Sequence, residues 1–352
     1  DSGFIGAVES EANDWAAGWT VGMPDGGTSF GCPTGTTELE AIEGQPACEL
    51  SGTYTSSLTL ARGNLYVLDG KVQIGDEGMP AVLSIQSGVT IAGDDAEDFV
   101  VISRGSRIEA LGTAEMPINF TAIDEITGTI PDGTRGLWGG LVINGFAPIN
   151  DCPEGETGGT AGCTKEGEAN SGTFGGDDPN DSSGRLKYVV VKFAGSFVDT
   201  ENQLNGIAFQ GVGDATEVDF IQVYNNLDDG IEFFGGTVNT NHVVLVGNAD
   251  DSLDWTDGWT GSMQYVHIVQ GADSADNGIE ADNREGDENA LPRSLPIIAN
   301  MSILGNAGER GVRLRRGTGL QLYNSEVVGN LTCLDVSGES LTQLGNGGIV
   351  FD

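Results

Sequence analysis

A right-handed parallel β-helix is the fold this sequence predicts, and three observations predict it. One short pattern returns between Leu204 and Val336, as NGIAF at Asn205, DGIEF at Asp229, DSLDW at Asp251, NGIEA at Asn277, RGVRL at Arg310 and TCLDV at Thr332, at steps of 24, 22, 26, 33 and 22 residues. Self-similarity at this period marks a solenoid, in which each coil buries its apolar side chains only against its neighbours. A second run accompanies the first in most coils: FIQVYNN at Phe220, VVLVGN at Val243, YVHIVQ at Tyr265, MSILGN at Met301 and SEVVGN at Ser325. Its alternation, its β-branched residues and its closing Gly or Asn are those of strands. No helical pattern separates the runs, so the strands must pair coil on coil in register.

Register then assigns side chains by column. The third pattern position (Ile207, Ile231, Leu253, Ile279, Val312, Leu334) and the fifth (Phe209, Phe233, Trp255, Ala281, Leu314, Val336) point inward. The position between them, occupied by Ala208, Glu232, Asp254, Glu280, Arg313 and Asp335, points out, because side chains alternate along a strand. One step before the pattern stands a second acidic column, Asp228, Asp250, Asp276 and Glu309, with Asp229 and Asp251 beside it.

Residues Asp1 to Ser51 carry no strand rhythm and are expected to form an N-terminal cap, with Trp15 and Trp19 spaced to share one face of a short helix. From Ser56 to Ile126, LTLA, LYVLDGKVQI, AVLSIQSGVTIAG, FVVISRGSRIEALG and INFTAI arrive as the first coils, each closed by Gly or a polar turn. The run RGLWGGLVINGFAPIN at Arg135 continues them, with Leu141 and Ile143 in the inward columns. The β-helix is thus expected over residues 52–352, interrupted by acidic insertions at about 150–184 and 282–296. The first has almost no large apolar residues and is expected to project from the body. Both leave the solenoid at or near the acidic columns.

The chain has 352 residues and a formal charge of −38, from 53 acidic residues against 15 basic ones. Such a surface repels phosphate backbones and anionic membranes, which excludes nucleic acid as a partner. No apolar run approaches the roughly 18 residues that span a bilayer. The chain opens at Asp1, and a processed, mature sequence is the expectation. Cys32 with Cys48, and Cys152 with Cys163, each bracket a local loop; two disulfides are the economical pairing, with metal binding by the thiols as the rival that no CxxC pair or neighbouring His supports, and the disulfides imply an oxidising, extracellular or cell-surface location. Cys333 is left over, at a bend position filled by Gly or Ser in other coils, where a small buried thiol would pack.

The coils SIQSGVTIAG and ISRGSRIEALGTAEMPINFTA, the run GLWGGLVINGFAPIN, and DDGIEFFGGTVNTNHVVLVGNADDSLDWTDGWTGSMQYV resemble a family of secreted bacterial parallel β-helix proteins. That family is common in marine proteobacteria and Bacteroidetes and is mostly known as hypothetical proteins or lipoproteins. The resemblance covers roughly Leu50 to Asp352; it implies the fold and brings no catalytic residues. FIGAVESEANDWAAGWT at Phe4 resembles the phrase that closes the β-helix at the C-terminal end of relatives, but here it comes first.

Adjacent coils lie about 4.8 Å apart, so stacked carboxylates repel by about 1 kcal/mol in water and several times that where water is excluded. Asp228, Asp229, Glu232, Asp250, Asp251, Asp254, Asp276 and Glu280 are therefore the candidate ligands of a hard cation, Ca²⁺ first, with a solvated, salt-screened face as the alternative. Arg313, Arg315 and Arg316 beside this ladder, and the pairs Glu232/Asp254 and Asp254/Glu280, raise a second reading: a polysaccharide lyase, hydrolase or carbohydrate-binding protein. His242 and His267 have no Ser or Cys partner at a useful spacing, so a nucleophilic triad is not indicated. Of Trp138, Trp255 and Trp259, only Trp259, in the turn DGWTG, is expected to be exposed.

The primary expectation is an extracellular structural protein that binds cations and assembles head to tail with copies of itself. Phe4, Ile5, Trp15 and Trp19 at one end, and Ile349 and Phe351 in the terminal run GGIVFD at the other, are the candidate assembly residues, because an open solenoid end templates pairing with another chain.

Overall fold

The protein is seen in a computed structural model that describes residues 31–128, 130–197, 203–305 and 310–352. It is a parallel β-helix whose described strands form one sheet of 24, with a separate two-stranded hairpin at Lys165–Glu166 and Thr173–Phe174. The short strands Ile207–Gln210, Ile231–Phe234, Leu253–Thr256, Asn277–Ala281, Arg310–Leu314 and Thr332–Val336 stack in parallel, one per coil. Their register is the one the repeat dictates: Ile207, Ile231, Leu253, Ile279, Val312 and Leu334 face one another in sequence. Upstream, Val72, Val100, Leu141 and Ile207 extend the same column.

Long strands form the next wall of each coil, at Gly184–Lys192, Glu217–Tyr224, Asn239–Val246, Ser262–Val269 and Ile297–Leu304. Between long strand and short strand, Asn side chains close the bend. Asn226 Nδ2 donates to the Asp229 carbonyl at 2.7 Å, and the Asn226 N–H donates to Asn248 Oδ1 at 3.2 Å. The bend also needs a residue without bulk at the second pattern position. A Cβ on Gly230 would lie 2.5 Å from the Ser252 carbonyl oxygen, and one on Gly278 would lie 2.6 Å from that of Gly311. Cys333 holds this position in the coil at Thr332–Val336, where it is exposed rather than buried. No described strand stacks on the far side of that coil, so the enclosure that buries the same column elsewhere is missing.

The interior is a continuous stack of aliphatic and aromatic side chains. Trp259, expected at the surface, is fully buried. Its ring stacks on Phe233 at 4.0 Å and its Nε1–H donates to the Val238 carbonyl at 3.2 Å, so the turn that carries it folds inward over the core. Trp138 and Trp255 are buried as well.

Strands begin earlier than the sequence rhythm suggests. Thr37–Ile42 pairs antiparallel with Gln45–Tyr54, which stacks in parallel on Leu65–Ile74. The Cys32–Cys48 disulfide ties the chain to this hairpin. Alternating Glu residues in TELEAI hide the first strand from a search for β-branched runs. Trp15 and Trp19 lie outside the described residues.

The insertion at 150–184 does not stand off from the body. Outward-facing Val101, Val142 and Ala208 continue the ladder position upstream of Glu232, and Ile149, Cys163 and Phe174 pack on them as a second apolar cluster. An apolar outer face gives a polar insertion something to cover, and the Cys152–Cys163 disulfide limits its freedom. The excursion at 282–296 joins it: Asn150 Nδ2 donates to Asn283 Oδ1 at 3.0 Å and to the Pro292 carbonyl at 2.9 Å. The two segments thus form a roof beside the acid ladder.

Candidate functional site

The ladder occupies the outward face of the short strands. Glu232, Asp254, Glu280, Arg313 and Asp335 follow one another in register, one per coil. Outward here does not mean solvated, because Glu232 and Glu280 are 9 % and 8 % exposed. Asp229 and Asp251 are buried too, each turned back on the next coil: Asp229 Oδ1 accepts the Asp251 N–H at 2.9 Å, and Asp251 Oδ1 accepts the Asn277 N–H at 2.7 Å and its side-chain amide at 2.8 Å. Asn205 Nδ2 donates to Glu232 at 2.7 Å. Asn205 and Asn277 open two of the repeats, so their place was readable from the pattern, although their role as donors was not.

Positive charge is concentrated at one end. Arg313 bonds Glu280 at 2.8 Å; Arg315 pairs with Glu280 and with Asp282, the latter at 2.7 Å; Arg316 reaches Asp282 at 2.6 Å. In the roof, Lys165 bridges Asp151 and Asp257 at 2.8 and 2.9 Å, and Arg284 holds Asp151 at 2.8 Å. Among the described residues no ion pair reaches Asp228, Asp229, Glu232, Asp250, Asp251 or Asp254. One oxygen, Asp254 Oδ1, is shielded from solvent with no hydrogen-bond donor.

Burial and like charge both oppose ionisation there. Burial, then Asp254, Asp251 and Asp228, push Asp229 well above the carboxylate range; burial, then Asp254 and Glu168, do the same to Glu232. Asp254 and Asp251 are raised by burial and by their neighbours, Asp254 against the pull of Arg315. Burial and Asp250 push Asp228 up to about 6, while Asp250 is itself raised by burial and Asp276. Glu280 is raised by burial against Arg315 and Arg313.

Glu168 was not foreseen. It sits in the roof, where burial and Asp228 push it up to about 7 against Lys165. Lys165 behaves in the opposite sense: burial pulls it down, but Asp257 and Asp151 outweigh that and hold it above the usual range. No local pattern marks these two residues, because their place depends on how the insertion lands.

Oxygen atoms of Asp229, Glu232 and Asp254 lie within 4.8 Å of one another, as do those of Asp251, Asp254 and Glu280, of Asp228, Asp229 and Asp250, and of Asp250, Asp251 and Asp276. Ca²⁺ takes oxygens at about 2.3–2.6 Å, so oxygens up to about 5 Å apart fit around one ion. All eight sequence-predicted ligands therefore fall in these overlapping groups, and Asp229, Asp250, Asp251 and Asp254 each belong to two. A further group, Asp94, Asp95 and Asp98, is of another kind: Asp98 already accepts N–H bonds from Gly70, Asp94 and Asp95 at 2.6, 2.7 and 3.1 Å and shapes its loop.

The family model for the pectate-lyase-like β-helix domain matches residues 52–349. The chain belongs to that family. No curated protein matches this pectate-lyase-like β-helix. Two solved structures are similar to it, both from Azotobacter vinelandii. The A-module of the mannuronan C-5 epimerase AlgE4 is 11 % identical, with 84 % of this chain and 90 % of that one covered and a TM-score of 0.29. The A-module of AlgE6 is 14 % identical, with 83 % and 91 % covered and a TM-score of 0.28. No described helix of this pectate-lyase-like β-helix is long and apolar enough to cross a membrane. Its two disulfides are compatible with a secreted protein.

Proposed function

We propose that this is an extracellular β-helix protein whose roofed acid ladder binds divalent cations, Ca²⁺ first. The observation that carries the reading is Asp254, which stands between Glu232 and Glu280 with a shielded oxygen that meets no donor. A cation there would neutralise acids that burial otherwise forces to keep their protons, and it would tie the roof, through Glu168, to the body. Ca²⁺ at about a hundred-fold excess over Kd should raise the melting temperature of EDTA-treated protein by about 5 °C, through binding to the folded state alone. Asp254→Asn should remove most of that rise. A melting temperature that responds to Ca²⁺ no more than to NaCl of equal ionic strength would sink the proposal.

A polysaccharide-acting role is the second reading. What favours it is the juxtaposition of Asp254 and Glu280 with Arg313 and Arg315, an acid and base cluster in a member of the pectate-lyase-like family.

Head-to-tail assembly is proposed on a separate observation. Leu331, Leu334, Leu341, Leu344 and Phe351, close in sequence, are each exposed, and exposed apolar residues of this kind favour a contact surface. Ile349, also expected to serve there, is instead buried in the core of the solenoid. Phe4, Ile5, Trp15 and Trp19 lie outside the described residues. Deleting residues 1–22 should abolish fibres in electron micrographs while leaving the β-rich circular dichroism intact; fibres that persist would refute the assembly reading.

A further inference from the structure

The long strands carry a feature that the ladder does not use. Each bends sharply at one residue in the left-handed region: Tyr188, Phe220, His242 and Tyr265, with φ of 50°, 53°, 50° and 61°. Pairing on either side places these four in one column, and Asn300 and Asn324 continue it with φ of 56° and 45°. Asn tolerates this conformation far better than a ring does. The bend alone therefore calls for Asn, as in the last two coils, yet four successive coils supply rings. Those rings stack at centroid distances of 4.5, 4.2 and 4.9 Å, within 15° of parallel. Phe220 and His242 have both faces covered by neighbours. Tyr265 is followed by the short Asn300 and is 50 % exposed.

Beside the stack, the outward column Val190, Gln222, Val244 and His267 forms the floor of a trough of about 330 Å³ that runs along the solenoid axis. Its lining is largely apolar, with the Gln222 amide, the His267 imidazole and the tyrosine hydroxyls as polar points. The charges at its edge cancel: Asp219 lies 2.8 Å from His242 Nδ1 and 3.6 Å from Lys187 Nζ, and Lys187 Nζ is 5.6 Å from the Phe220 ring centroid.

We propose that this trough binds an uncharged, extended glycan, about one sugar ring to each coil. Aromatic rings with a few interspersed hydrogen-bonding groups suit the mixed C–H and hydroxyl surface of a sugar chain. The coil spacing of about 4.8 Å is close to the advance of one unit along an extended glycan. Charge selects among glycans: the trough has no net charge to hold an ion, and a chain of charge −38 repels polyanions. The inference rests on the polysaccharide reading for its class of ligand, but its surface lies on the wall of long strands, not on the short strands that carry the acid ladder.

The test is isothermal titration of the full chain with neutral hexasaccharides, cellohexaose and mannohexaose, and with hexagalacturonate as the charged control. At least one neutral probe should bind with Kd below about 1 mM. Tyr265→Asn, which installs the residue the next coil uses at this bend, should keep the fold and weaken binding about ten-fold. EDTA should leave neutral binding unchanged, which separates this site from the ladder. Failure of both neutral probes to bind, or binding unaltered by Tyr265→Asn, would overturn the proposal. So would binding of hexagalacturonate alone with loss in EDTA, which would put the sugar on the ladder, or a dimer that Tyr265→Asn dissolves.

Discussion

Stripped of divalent cations, the protein should lose stability steadily as pH rises from about 4.5 to 7. The window follows from Glu168, whose ordinary value of 4.5 is pushed up to about 7, and from Asp228, moved from 3.8 to about 6. Below the unfolded values both states hold the proton, and these groups contribute nothing to the pH dependence. Between the unfolded and folded values the folded protein keeps protons that the unfolded chain has released, so stability falls as pH rises, by about 1.4 kcal/mol per pH unit for each such proton. Above the folded values the loss is complete. This is the reverse of the usual salt-bridged carboxylate. Melting temperatures measured in EDTA across that range should decline, and Glu168→Gln should flatten part of the slope. A flat or rising profile in the wild-type chain would contradict the burial assigned to these acids.

Removing Arg315 should destabilise the protein at pH 7 more than removing Arg313 or Arg316, because it alone pairs with both Glu280 and Asp282. Its guanidinium pairs with Glu280 and Asp282, and these two carboxylates are 8 % and 5 % exposed. Taking Arg315 away leaves each buried carboxylate with a single arginine and removes two charge-assisted hydrogen bonds, which costs on the order of 2 kcal/mol. Arg313 and Arg316 keep their own bonds to Glu280 and Asp282, so the variant should still fold. Acidification should reduce the loss, because Glu280, already raised by burial, can then take up a proton. Arg315→Leu compared with wild type by thermal melting at pH 7 and pH 5 decides this. A loss below about 1 kcal/mol at pH 7, or one that does not shrink at pH 5, would count against the pairing.

The β-helix and its register were legible because two signals coincide. A period-2 strand pattern fixes which side chains face inward, and the recurrence at twenty-odd residues fixes which residues stack, so Ile207 to Leu334 could be aligned without coordinates. The acid ladder came with that register. Its burial did not, because Glu232 is buried beside Glu168, a residue of a roof whose sequence is polar and without rhythm. For the same reason Glu168 and Lys165 escaped notice: nothing local says that a loop more than sixty residues before Glu232 returns to it. Trp259 was misplaced because a DGWTG turn reads as surface, whereas its ring completes a stack on Phe233. Cys333 shows the converse, a column rule applied to a coil with no described neighbour beyond it.

The central claim, that buried and proton-holding carboxylates form a cation site, is tested most directly by counting protons as Ca²⁺ binds. Calorimetric titration near pH 6, in two buffers of different ionisation enthalpy, gives that count for the EDTA-stripped protein. The ladder should bind Ca²⁺ saturably and release about one proton or more per ion, since acids such as Asp229, Glu232 and Asp254 must ionise to ligate it. Asp254→Asn should weaken the binding and lower the count. Absence of saturable binding, or binding that releases no proton and ignores Asp254→Asn, would contradict the account.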